Sequence, residues 1–144
     1  MITPVDSVLW RGPRPDSGNF SEVRKRFLTV VSLEGLEEDW REARELAPAL
    51  VVSKPISSWQ ILLAGVPEAF LESVLLAIQA ASRPVLVHCR EGRDRTGLVV
   101  AAYRVRQMRW SKEAAMAEAI ALGYRHSINF GLNRTWRDFD VSPV

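Results

Sequence analysis

Residues 85–100 read VLVHCREGRDRTGLVV: a β-branched apolar run, a charged loop interrupted by one glycine, and a second apolar run. The first run, 85–87, has the composition of a short buried strand entry. From Gly97 to Val105 the chain is apolar nearly all round, which predicts a helix buried under a sheet. In an open α/β sheet, ligands bind at the carboxyl ends of strands, and the loop between the two runs falls there. That loop holds Cys89, the single cysteine of the chain. Arg95 follows Cys89 by six positions, with Gly92 midway, so a tight loop brings the guanidinium beside the thiol. The backbone N–H groups of residues 90–95 can then turn inward as an anion nest at a helix N-terminus, a seat for a phosphate.

Working outward, strands and helices alternate. Residues 7–10 read as a short strand ended by the turn-rich stretch Gly12, Pro13, Arg14, Pro15, Asp16, Ser17, Gly18. A helix is predicted over 20–26, a β-branched strand over 28–33, a helix over 37–46 and a short buried strand over 50–53. Over 67–80, Phe70, Leu71, Val74, Leu75 and Ile78 recur at helical spacing, with Pro67 at the tolerated first turn. Beyond the 85–100 stretch, Ser111 caps a helix to about Leu122, stopped by Gly123, and 130–139 forms a last helix before the tail 141–144. The sum is a small α/β fold with a mainly parallel central sheet flanked by helices, residues 1–144 forming one domain.

Composition excludes several classes. With 144 residues, 47% hydrophobic and 25% charged, the chain has ordinary globular usage. No window approaches the roughly 18 apolar residues that a membrane span needs. The N-terminus MITPVDSVLWRG lacks a secretory pattern, and one cysteine forms no internal disulfide, so the expected compartment is cytoplasmic. The net charge of +2 is uneven: residues 1–72 carry 8 basic and 11 acidic side chains, and 73–144 carry 11 and 6. The second half should attract anions, but no basic run or basic-aromatic stripe suggests nucleic acid, which leaves a small anionic substrate.

The nest and helix end around Cys89 favour its thiolate, the form that attacks phosphorus. Arg95 offers a planar fork that grips two phosphoryl oxygens and neutralises charge in the transition state. His88, Cys89, Gly92, Arg95, Thr96 and Gly97 together resemble the signature of the cysteine-dependent protein tyrosine and dual-specificity phosphatases. Chance matching of six specified positions is improbable, and the strand-loop-helix context agrees. The resemblance extends more loosely over residues 7–124: SVLWRGPRP is similar to the strand and Arg-rich turn that open many small members, and FLTVVSLEG to their second strand. Arg11 would be structural or rim-lining.

The resemblance implies a two-step reaction without metal or cofactor, in which Cys89 forms a phosphocysteine that water then hydrolyses. Thr96 resembles the hydroxyl that stabilises the departing thiolate. His88 resembles the position that braces the loop and the cysteine, and a merely structural histidine reads the same way. The phosphate-binding set is Arg90, Glu91, Gly92, Arg93, Asp94 and Arg95.

One departure matters. Most of the family carries an aspartate acid on a loop between the third strand and the helix before the signature, but here no Asp lies between Asp39 and Asp94. The segment KPISSWQ (54–60) offers Ser57, Ser58 and Trp59, and a hydroxyl is too weak an acid. The arrangement C-x4-D-R-T is similar to myotubularin-type and Sac-type phosphoinositide phosphatases and to atypical bacterial tyrosine and lipid phosphatases. That makes Asp94 the candidate acid, favoured by the like charge of a bound phosphate and opposed by Arg93 and Arg95. Otherwise Asp94 orients Arg95 or faces solvent; Glu91 is a weaker candidate. Arg90 and Arg93 suit extra phosphates, and Trp59 suits an aromatic wall, so a phosphoprotein, a phosphoinositide and an inositol phosphate all stay open as substrates. A catalytically weak phosphate-binding module and a rhodanese-like sulfurtransferase are the alternatives.

Overall fold

Strands β1 (Thr3–Pro4) and β2 (Leu9–Pro13) open the chain, followed by helix α1 (Phe20–Arg26), β3 (Thr29–Ser32), α2 (Leu36–Leu46) and β4 (Leu50–Ser53). A single π-helical turn, Gln60–Ala64, precedes α3 (Glu68–Ala80), β5 (Val85–Cys89), α4 (Arg95–Met108), α5 (Lys112–Ala121) and α6 (Phe130–Asp138). The computed structural model describes residues 1–140; the tail predicted over 141–144 lies outside them. None of the described helices is long and apolar enough to cross a membrane.

The sheet order is β1-β2-β5-β3-β4, parallel except for β1 against β2. β5 is therefore the middle strand, and all five of its residues are buried, which explains its unbroken apolar spelling. Alternation along it sorts the two faces. Val85, Val87 and Cys89 join the larger core with Leu71, Val74, Leu75 and Ile78 of α3 and Val99 to Val105 of α4. Leu86 points the other way, into a core with Val23 and Phe27 at α1 and Leu46 of α2. His88 shares that second face. A third cluster, Ile56, Val66, Leu98, Ala119, Tyr124 and Leu132, ties α4, α5, α6 and the segment around the π turn together beside the carboxyl end of the sheet.

The element pattern agrees with the sequence reading, with differences at the ends. β2 starts at Leu9, not at residue 7, because the Asp6 carboxylate accepts the Val8 and Leu9 N–H groups (2.9 and 2.8 Å) and turns the chain there. β5 runs on to Cys89 because its ladder continues, Ser32 and Gly12 opposite His88 and Pro13 opposite Cys89. α4 gains its first turn at Arg95, a polar turn that hydrophobic periodicity does not mark. α5 is capped as expected: the Ser111 hydroxyl accepts the Ala114 N–H at 3.1 Å. The π turn and β1 have no counterpart in the sequence reading. The π turn lies against α6, where Gly131 leaves room for the carbonyls of Gln60 and Ile61 that an added Cβ would strike.

Candidate active site

β5 ends at Cys89 and α4 begins at Arg95, so the five-residue connection is strung between a central strand and a buried helix. Gly92 is its apex. Its φ is +72°, and an added Cβ would sit 2.6 Å from the Gly12 carbonyl carbon and 2.8 Å from Pro13 N, so the loop presses on β2 where only glycine fits. β2 and the residue that follows it hold the loop at two more points. The Arg14 N–H donates to the Arg90 carbonyl (3.2 Å), and Arg11 Nη2 donates to the Gly92 carbonyl (3.0 Å).

A cleft of about 230 Å³ opens over this loop. Cys89, 2% exposed, is part of its lining, with Arg90, Glu91, Asp94 and Arg95 from the loop and helix. Ser58, Ile61 and Leu62 form one wall and Arg125, Ile128 and Asn129 another. Arg95 Nη1 donates to the carbonyls of Ile56 (3.1 Å) and Leu33 (3.3 Å). Two carbonyls thus fix the orientation of the guanidinium while its remaining N–H groups are available to a ligand. Thr96 is fully buried, and its hydroxyl has no hydrogen-bond partner among the described residues.

His88 lies behind the loop, fully buried. Its Nε2 meets Glu42 Oε1 of α2 at 2.6 Å, and its Nδ1 faces the Cys89 carbonyl at 3.3 Å and Glu34 Oε2 at 3.5 Å. The histidine thus links α2 to the backbone of the cysteine. Donor atoms of Glu34, Glu42 and His88 lie within 4.8 Å of one another, a spacing that could hold a metal ion. Arg14 engages Glu34, its Nε donating to both carboxylate oxygens at 3.0 Å, and Glu42 Oε1 meets His88, while Glu42 Oε2 has no hydrogen-bond partner among the described residues.

Asp94 departs most from the sequence expectation. Its carboxylate accepts the Arg125 backbone N–H (3.0 Å), Arg125 Nε (3.0 Å) and Nη2, and Asn129 Nδ2 (2.7 Å). Burial pushes its pKa up, but the hydrogen bonds from Arg125 and Asn129 outweigh that and hold it below the ordinary value. This arrangement favours the carboxylate, the opposite of what a proton donor requires. Asp94 instead ties the loop between α5 and α6 to the start of α4. Glu91 is half-exposed and pairs with Arg125 (3.3 Å) and Arg93 (3.7 Å). The Arg93 stem passes over Gly123, and Arg93 does not line the cleft; Arg90 does. Trp59 is 65% exposed and is no wall of the cleft.

Arg125, Ile128 and Asn129 were absent from the sequence reading, as were Ile61, Leu62, Glu34 and Glu42. No local pattern marks 124–129 as part of a site, because its contribution depends on α5 and α6 folding back over α4. A larger cavity, about 470 Å³ and lined in part by Arg106, Arg109, Trp110 and Lys112, lies at the other end of α4, roughly 20 Å from Arg95 along the helix. Its lining holds no cysteine, and its Ser111 and Lys112 are engaged, the hydroxyl in capping α5 and the ammonium with the carbonyls of Arg137 and Phe139.

Comparison with known proteins agrees with this fold. The dual specificity protein phosphatase TpbA of Pseudomonas aeruginosa (strain UCBPP-PA14) is 37% identical over 117 residues, 79% of this chain and 50% of that protein. The chain thus spans about half the length of the curated relatives it matches. A crystal structure of P. aeruginosa TpbA in complex with pTyr superposes with a TM-score of 0.79 at 28% identity, covering 97% of this chain and 85% of that one. The catalytic core of the S. cerevisiae PP-IP phosphatase Siw14 shares the fold, with a TM-score of 0.78 at 20% identity over 96% and 85% of the two chains. The sequence model of a tyrosine phosphatase family matches residues 2–127. With that match spanning nearly the whole chain and the Cys89-to-Arg95 loop seated at the carboxyl end of the sheet, the chain belongs to the tyrosine phosphatase family.

Proposed function

We propose that the chain, acting as one catalytic domain, is a metal-independent phosphomonoesterase that forms a phosphocysteine at Cys89. The observation that carries this is the shared cleft: Cys89 in its lining, with Arg95 beside it held in orientation by the Leu33 and Ile56 carbonyls. Cys89 Sγ attacks phosphorus, the bond from phosphorus to the leaving oxygen breaks, and the leaving oxygen takes up a proton from solvent. Water then attacks the phosphocysteine and gives up a proton to solvent, the P–S bond breaks, and phosphate and the thiolate are released. Arg95 holds the non-bridging oxygens through both steps. The Thr96 hydroxyl, buried with no hydrogen-bond partner among the described residues, steadies the departing thiolate in this reading.

The favoured substrate is an aryl phosphate of the phosphotyrosine type. Ile61, Leu62 and Ile128 give the cleft apolar walls that suit a ring. Glu91 and Asp94 pair with Arg93 and Arg125, which leaves Arg90 without an ion pair among the described residues and free for a further phosphate of an inositol or phosphoinositide. A phenol also leaves with less help from a proton donor, which fits the depressed Asp94. The pTyr complex of TpbA supports the same choice. A second reading, a phosphate-binding domain with weak turnover, is favoured by the same Asp94. A cytoplasmic location accords with the free cysteine in the site.

The test is phosphate release from an aryl phosphate by the wild type and Cys89→Ser, with a chelator present and vanadate as inhibitor. Chelator-resistant, vanadate-sensitive turnover that disappears in Cys89→Ser is expected. Hydrolysis retained in Cys89→Ser would rule out the covalent route. Vanadate binding without turnover in the wild type would favour the phosphate-binding reading.

A further inference from the structure

Arg11 of β2 touches no part of the cleft, yet it is 4% exposed and is not spent on an ion pair. Alternation from Leu9 puts it on the α4-facing side of the sheet, the side Cys89 occupies on the next strand. Its partner across the ladder is Val87, so it stands diagonally before Cys89, about 8 Å away by strand geometry.

Its two terminal nitrogens are unequal. Nη2 donates to the Gly92 carbonyl at 3.0 Å, whereas Nη1 is buried with no hydrogen-bond partner among the described residues. Glu118 of α5, the acid whose charge acts on it, is already gripped by Arg104 of α4 at 2.9 and 3.0 Å. Burial pushes the Arg11 guanidinium below its ordinary pKa, but an arginine stays charged at neutral pH. A buried cation without a carboxylate partner is costly to fold, so its place against the loop calls for another role.

The hydrogen bond has a direct consequence. The Gly92 carbonyl, bonded to a buried guanidinium, points into the protein, which turns it away from the cleft. Turned the other way, it would set the negative end of a dipole against a bound phosphate. The charge has a second consequence, because it stands about 8 Å from Cys89, at the foot of the loop.

We infer that Arg11 is a positioning residue for anion binding: it holds the Gly92 carbonyl out of the cleft and places beneath the loop a positive charge that the bound anion complements. It touches neither the phosphoryl group nor the thiol in this role. The inference rests on reading the cleft as an oxyanion site and adds a residue that lies outside that cleft.

Orthovanadate binding, followed by titration calorimetry with melting curves of the ligand-free proteins, tests it. Arg11→Met keeps the length and removes charge and donor; Arg11→Lys keeps the charge. Arg11→Met should bind vanadate at least about tenfold more weakly than the wild type, and Arg11→Lys within about threefold of it. If Arg11→Met fails to fold, Arg11→Gln, which keeps a donor without the charge, takes its place with the same expected loss. Vanadate affinity within twofold of the wild type in the uncharged variant would overturn the inference, as would Arg11→Lys binding as weakly as Arg11→Met. No vanadate binding by the wild type would overturn the oxyanion-site reading itself.

Discussion

Replacing Asp94 with Asn separates a proton donor from a structural tie. The wild-type carboxylate accepts from the Arg125 backbone, from the Arg125 guanidinium and from Asn129 Nδ2 at 2.7 Å. An Asn there offers one acceptor oxygen and sets an NH2 group against donors. A hydrogen bond to a charged group is worth about 1.5–3 kcal/mol, but the Arg125 side chain is 40% exposed, which reduces its charge pair to about 0–1 kcal/mol. The Asn129 and Arg125 backbone donors share one Asp94 oxygen, which Asn keeps as a weaker, uncharged acceptor, so the expected loss is about 1–3 kcal/mol at pH 7. The folded-state pKa is depressed, so this contribution is complete above the unfolded value near 4 and fades as pH falls through the folded one. Urea denaturation at pH 7 and near pH 3 should therefore show a large gap between wild type and Asp94→Asn that narrows in acid. With the tie broken, kcat/KM should fall by a similar factor for an aryl and an alkyl phosphate. A loss at least tenfold greater on the alkyl ester, with stability at pH 7 unchanged, would refute this and restore Asp94 as the acid.

Three further changes probe other parts of the site. Gly92→Ala places a Cβ 2.6 Å from the Gly12 carbonyl carbon at φ +72°, so vanadate affinity and kcat/KM should drop by about two orders of magnitude, read by calorimetry and initial rates. Glu42→Ala leaves the buried His88 without its 2.6 Å partner and should lower stability by about 2–3 kcal/mol in urea titrations; a change under about 0.5 kcal/mol would show that the contact matters little. Ile128→Asp puts a carboxylate on a cleft wall and should raise KM for an aryl phosphate more than it lowers kcat; an unchanged KM would remove Ile128 from the substrate path.

The elements most legible in the sequence are those whose burial is set by their own spelling. The α3 residues Leu71, Val74, Leu75 and Ile78 are all buried, and α4 is buried from Gly97 to Val105, as their helical spacing and a run apolar nearly all round predict. The π turn left no trace because it is held by α6 through Gly131, a contact made across the fold. Trp59, a suitable aromatic wall by composition, faces solvent because the π turn presents Ile61 and Leu62 to the cleft instead.

The sequence alone determined the loop between β5 and α4. Six signature residues, a buried strand before them and a buried helix after them are local facts, and local spacing sets where Cys89, Gly92 and Arg95 stand in the chain. The tertiary structure decided the state of the charges around that loop. Whether Asp94 donates a proton or accepts four hydrogen bonds depends on Arg125 and Asn129, more than thirty residues away. Whether His88 braces the loop depends on Glu42 of α2, and the seat of Gly92 depends on Arg11 and Gly12 of a neighbouring strand. A side chain's protonation and orientation follow from the groups folded against it, and no spacing along the chain contains that list.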